Sequence, residues 1–317
     1  LPDLLRRAVL VLPIALGVSI VCFALVYIAP GDPLQTIMPP DATAATIDAI
    51  KHAYGLDKPI VVQYFVWLWR VLHGQLGTSI STNRPVALEV SEALANTLRL
   101  VALAMPTALL IGYAMGVAAA RYPGRALDRV VTGAAVLGVS LPNFWVGVVL
   151  VILFAVQWSM LPATGMGPLG AGFLGVFAWA DLRFMILPAI SLALIPMGII
   201  ARSTRAAVLE ILSQDFVLTL HAKGMEESTV TRHVLRNALP QVVAVVGLQF
   251  GYLMGGSILV ETVFSWPGTG FLLGRAISNR DVPLLQGTVL VLAMIFVGAN
   301  LAVDILQTTI DPRLRRG

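Results

Sequence analysis

Six apolar stretches recur along this sequence: Ala8 to Ala29, Leu100 to Ala120, Val130 to Val156, Phe184 to Ala201, Val242 to Val260 and Leu284 to Ile305. Each is about the 20 residues that carry a helix across the hydrocarbon core of a bilayer. Charged residues make up 12% of the chain, against about 25% in soluble domains. The runs therefore predict an all-α polytopic membrane protein with about six transmembrane helices. A further apolar piece, residues 168 to 180, is too short to span and suits an interfacial or re-entrant position.

Arg6 and Arg7 precede the first run, which is longer than the apolar region of a signal peptide and is expected to stay as an uncleaved signal anchor. The organisation that follows is a first transmembrane helix at 1–29 and an extracytoplasmic segment at 30–95. A transmembrane core covers 96–310 and contains a cytoplasmic loop at 213–240. Residues 311–317 are expected to be a cytoplasmic tail. Six spans put both termini on one side. That side carries Arg6, Arg7, Arg121, Arg125, Arg129, Arg202, Arg205, Lys223, Arg232, Arg236, Arg313, Arg315 and Arg316. Cytoplasmic loops hold the excess of Lys and Arg, so this face is expected to be cytoplasmic.

The chemistry of an enzyme is missing. No phosphate-binding G-x-x-x-x-G-K-[ST] loop occurs, and the lysines are Lys51, Lys58 and Lys223. His52, His73, His221 and His233 show no zinc spacing, and a lone Cys22 allows no internal disulfide. The basic residues lie between apolar runs and form no polar face interleaved with aromatics, which speaks against nucleic-acid binding. An ion- or proton-coupled carrier, the alternative function, would place ionisable groups near mid-membrane. Arg99, Arg202, Arg205, Glu261 and Asp304 instead fall near predicted span ends, where snorkelling or interfacial hydration accounts for them. Inside the spans stand the amides Asn143, Gln249 and Asn300, with two readings open: interhelical hydrogen bonding and lining of a pathway.

The loop after the fourth span is long for a connection between packed helices. Ser213 is expected to cap a short helix that has Asp215 in its first turn and ends at His221 and Lys223, with Gly224 as a left-handed stop. A second helix starts at Glu226 and Glu227 and ends with Arg232, His233 and Arg236 before Pro240. Phe216 and Leu220 would share one apolar face. By periodicity alone that face suits a partner's groove and a lipid surface equally well.

Ala222-Lys223-Gly224 followed by Arg232-His233-Val234-Leu235-Arg236-Asn237-Ala238-Leu239-Pro240 resembles the coupling loop of binding-protein-dependent ABC permeases of the dipeptide, oligopeptide and nickel group. Leu218-Thr219-Leu220 stands where the general family has Glu-Ala-Ala. The likeness continues through Pro30-Gly31-Asp32-Pro33, Gly55-Leu56-Asp57-Lys58-Pro59, Gln63-Tyr64, Gly77-Thr78-Ser79, Glu261 to Gly268 and Arg280 to Gly287. The early matches are similar to the B-type subunit, with Gln75 and Thr269 departing from the group's pattern.

This resemblance implies the type I ABC importer permease fold and a non-catalytic subunit forming half of a translocation pathway for peptides or similar small solutes. It implies as partners a C-type permease, two ATPases that bind ATP and Mg, and an extracytoplasmic substrate-binding protein. The implied location is the bacterial cytoplasmic (inner) membrane. No cofactor is expected in this chain. Asp215, Phe216, Leu220, Ala222, Lys223, Gly224, Arg232 and His233 would meet the ATPase. Tyr64, Trp67 and Trp69, in the 30–95 segment, would either receive the binding protein or cap the bundle.

Overall fold

A computed structural model describes residues 2–28, 58–167 and 179–310. Pro30-Gly31-Asp32-Pro33, Gly55-Leu56-Asp57, most of the apolar piece 168 to 180, and the tail with Arg313, Arg315 and Arg316 lie outside the described residues. The chain is helical: α1 (Pro2–Ile28), α2 (Ile60–Leu72), α3 (Val86–Arg121), α4 (Ala126–Ser140), α5 (Asn143–Leu150) continued by a π-helical segment (Val151–Gln157), α6 (Trp179–Leu212), α7 (Asp215–Ala222), α8 (Glu227–Val263), α9 (Thr269–Ser278) and α10 (Val282–Ile310).

Four of the described helices, α3, α6, α8 and α10, are singly long and apolar enough to cross a membrane. The run from Val130 to Val156, expected as one span, is two helical pieces that meet at 100°. The reason is local. Leu141 precedes Pro142, whose ring disfavours helical dihedrals in the residue before it, and Leu141 is extended at φ −85° and ψ 132°.

The helices also outrun their apolar segments. With 37 residues, α8 measures about 55 Å at 1.5 Å per residue, well beyond the hydrocarbon thickness. Two expectations change as a result. The long loop after the fourth span shrinks to residues 213–226, because α6 runs on to Leu212 and α8 begins at Glu227. Pro240, expected to end a helix, lies inside α8.

Four helices end in the same way. The N–H two positions beyond the cap bonds to the carbonyl five positions back, and the residue between is left-handed. At α2 and α7 that residue is a glycine, Gly74 (φ +75°) and Gly224 (φ +72°), while at α8 and α9 it is Ser265 (φ +47°) and Arg280 (φ +53°).

The chain divides into two compact units, Leu1–Asn96 with Pro267–Gly298, and Thr97–Trp266 with Ala299–Gly317. In the second unit α6 is central and packs on α4, α5 and α8. It meets α3 at Gly112 and Gly116. A Cβ on Gly116 would stand 2.5 Å from the Ala201 carbonyl oxygen, so only glycine permits the approach. The Gly112-x-x-x-Gly116 spacing is the small-residue pattern of membrane helix pairs. In the first unit Val86, Val90 and Ala93 pack with Leu272, Ala276 and Leu284. Gln286 Nε2 donates to the Cys22 carbonyl at 3.0 Å, tying α10 to α1.

Candidate functional site

The element carrying most of the predicted site residues is α7 with its flanking turns. Gln214, extended at φ −83° and ψ 146°, caps it without a side-chain bond. Ser213, the expected cap, instead donates its hydroxyl to the Glu210 carbonyl at 2.7 Å. At the other end Gly224 N–H reaches the His221 carbonyl at 2.9 Å and Met225 N–H the Leu220 carbonyl at 3.2 Å. Nothing lies within 4 Å of a Cβ built on Gly224, so a side chain there would be limited by the left-handed backbone and not by space.

Beneath this turn is an apolar cluster of Ala120, Ala207, Val208, Val217, Val230, Val234 and Ala238. Phe216 and Leu220, expected to present an outward stripe, pack against it and are half-buried. A short helix covering three longer ones must seat its own apolar face before it can offer one to a partner. The outward apolar residues are Leu218, 72% exposed, and Met225, 37% exposed. Asp215, Ala222, Lys223 and Gly224 are exposed around them, and Arg232 and His233 are exposed on the first turns of α8. His221 Nε2 stands 3.3 Å from Glu227 Oε2 across the turn.

The three amides are spread over different helices. Asn143, buried at the start of α5, accepts from Phe144 N–H at 2.9 Å and lies 3.4 Å from the Gly256 carbonyl. Gln249 is buried on α8, with its Oε1 lacking a partner among the described residues. Asn300 is half-buried on α10.

Two charges expected at hydrated span ends have partners within the protein, Glu261 buried and Arg205 partly exposed. Glu261 is fully buried and accepts from the Thr97 hydroxyl at 2.8 Å. Arg205 grips the buried Asp128 through two bonds of 2.6 and 2.8 Å, and Asp128 also accepts the Gly124 N–H at 2.8 Å. In a low-dielectric interior such charges persist only when paired. Their spacing, 164 and 77 residues, left no local signal.

A third polar centre joins two of the motifs quoted above. Asp281 is fully buried. Its Oδ2 accepts the Ser79 hydroxyl at 2.6 Å, the Ser81 hydroxyl at 2.8 Å and the Ser81 N–H at 3.0 Å, while Oδ1 caps α10 through the Leu284 N–H at 3.2 Å. Burial pushes the carboxyl up, but these four donors outweigh it and hold it below the usual carboxylate range. Thus Gly77-Thr78-Ser79 and Arg280-Asp281-Val282-Pro283 form one latch. Beside it in the same unit, a cavity of about 200 Å³ is lined by Arg84, Glu89, Glu92, Asn96, Phe271 and Arg275.

The family description "binding-protein-dependent transport system inner membrane component" matches residues 109–316, and its N-terminal counterpart matches residues 1–109. The chain belongs to this family. This permease is 39% identical to the dipeptide transport system permease protein DppB of Alkalihalophilus pseudofirmus, over 98% of each chain. It is also 39% identical to the DppB of Escherichia coli K12, again over 98% of each. The permease is accordingly a non-catalytic membrane subunit of an ABC importer, in which ATP hydrolysis belongs to partner proteins. These relatives lend nothing to the ion-coupled carrier reading.

Proposed function

We propose that this permease moves peptides or similar small solutes inward as half of a pathway completed by a C-type permease. Two ATPases holding ATP and Mg drive it, and an extracytoplasmic binding protein delivers the solute. Its relatives' names supply the peptide assignment. The arginine distribution supports an inner-membrane topology with both termini and residues 213–240 in the cytoplasm. On the opposite side, the 30–95 and 261–287 segments would receive the binding protein. The charged rim of Arg84, Glu92 and Arg275 favours that role.

The observation that carries the coupling role is the 213–226 turn, an exposed tip seated on a buried cluster drawn from α3, α6, α7 and α8. ATP can bias the bundle only if the ATPase contacts its conformations differently and the contact is stiff enough to pass that difference on. Asp215, Phe216, Leu220, Ala222, Lys223, Gly224, Arg232 and His233 make up or support that contact, while Asn143, Gln249 and Asn300 are the candidates for pathway lining.

Gly224→Val should misplace the turn, because a branched side chain is strained at φ +72°. The expected result is a complex that still assembles, with uptake reduced and ATP hydrolysis no longer answering to loaded binding protein. Gly224→Ala should be milder, by about 1 kcal/mol of backbone strain. Reconstituted vesicles give both rates, and copurification checks assembly. Normal coupling in a fully assembled Gly224→Val complex would remove this turn from the transmission path.

A further inference from the structure

Helix α2 has two apolar faces, and the described chain covers one of them. Tyr64 and Trp67 turn toward α1. The Tyr64 hydroxyl and Ser19 Oγ are 2.7 Å apart, and the Phe23 ring centre lies 5.5 Å from that of Tyr64 and 5.7 Å from that of Trp67. The Tyr27 hydroxyl donates to Gln63 Oε1. On the other side Val61, Phe65, Trp69 and Leu72 follow the spacing of a single helical face, and they are 61–72% exposed. Arg70 is the one charge in the helix, and none of its 13 residues is buried. Contiguous apolar surface of this kind needs an occupant.

The position of the contacts on α1 indicates which. Tyr27, Phe23 and Ser19 span about 12 Å of helix rise, and all fall in the C-terminal half of the apolar run Ala8 to Ala29. A helix packed along that half lies at the depth of hydrocarbon or of its boundary, where a soluble partner does not reach. The neighbouring surface is of the same kind, because α1 is itself exposed at Leu12, Leu16, Ile20 and Val21. Tryptophan and tyrosine also favour the membrane boundary. Arg70 has a stem long enough to carry its charge out of the apolar layer.

We infer that α2 is an interfacial membrane helix that lies on α1 with Val61, Phe65, Trp69 and Leu72 against lipid acyl chains. It is therefore not part of the surface offered to a soluble protein. Of the 58–96 stretch, the part left for such a partner is the polar region around Arg84 and Glu92.

The test uses the full-length Cys22→Ser chain, purified with the subunits that co-assemble and placed in bilayers of phosphatidylethanolamine and phosphatidylglycerol. Nitroxides are attached to single cysteines at Phe65, Trp69, Arg84 and Glu92. Oxygen, which partitions into lipid, should collide with labels at 65 and 69 several-fold more often than a water-soluble nickel chelate does, with the order reversed at 84 and 92. Equal nickel access at 65 and 84 would overturn the inference, and so would exclusion of both reagents at 65, the mark of a protein contact. Benzoylphenylalanine at position 65 provides a second reading in case a cysteine variant fails to assemble. Irradiation in intact cells should add the mass of a phospholipid to the chain, whereas a covalent product with another polypeptide would overturn the assignment. Both readouts report position and not transport, so they stand apart from the coupling role of Gly224.

Discussion

The Asp281 latch and the α7 turn secure their chain segments by opposite means. Around Asp281 a carboxylate gathers four donors from residues about 200 positions away in sequence and from its own helix. Beneath α7 the contacts among the described residues are apolar. Val217, Val230 and Val234 hold the turn by packing, and the contact of His221 with Glu227 is exposed and contributes little. A polar latch fixes geometry and fails abruptly when one partner is lost, because each deserted donor is left buried. An apolar seat fails gradually, in proportion to the volume removed. Such a seat leaves Leu218 and Met225 outside, in keeping with the proposed docking role.

The largest expected effect is therefore at the latch. Asp281→Ala should strand the Ser79 and Ser81 donors and remove the cap of α10, lowering stability by about 3 kcal/mol. The thermal midpoint of the purified transporter measures this, with new protease cleavage between residues 79 and 84 as the local sign. Asp281→Asn, which keeps an acceptor, should fall between the two. If Asp281→Ala unfolds like the parent, the latch is not what orders the 77–86 segment.

Val217→Ala should cost about 2 kcal/mol by removing two buried methyl groups. Its signature differs. Loosening should be confined to residues 213–226, seen as faster amide exchange there with little change near Asp281. Equal loosening of both regions would mean that they unfold as one unit and would erase the contrast.

The smallest effect is the pH dependence of the latch. The Asp281 carboxyl is held below its ordinary value, so the folded state favours the ionised form. Its contribution is complete above the ordinary carboxylate range, about pH 4, and is lost as pH falls from there through the lower folded value. Stability near neutrality should be flat with respect to this group, with a decline at acid pH that Asp281→Asn lacks. A decline beginning near pH 6 would point to another group.

The membrane-spanning runs, the left-handed Gly224 and the approximate place of α7 were legible in the sequence because each depends on neighbours within one or two helical turns. Apolar length, a glycine after basic residues and the acidic-to-basic order along a helix are local properties. The bend at Leu141-Pro142 also has a local cause, since proline constrains the residue before it, but the continuous apolar run read as one span. The Gly112-x-x-x-Gly116 spacing likewise marked a close approach without naming α6 as the partner.

Tertiary structure alone decided the rest. It set the buried Glu261 against Thr97 and the partly exposed Arg205 against the buried Asp128, giving partners to charges that look like hydrated helix ends. It also turned Phe216 and Leu220 inward and left Leu218 and Met225 outside. The physical reason is the same in each case. A hydrogen bond or a buried face requires a partner in space, and a sequence specifies the groups that need partners without specifying which ones they meet. What this sequence by itself determined is that the chain crosses a membrane as helices and carries a short helix with a glycine stop between two of them. Which atoms hold that turn and the latch in place was settled by packing.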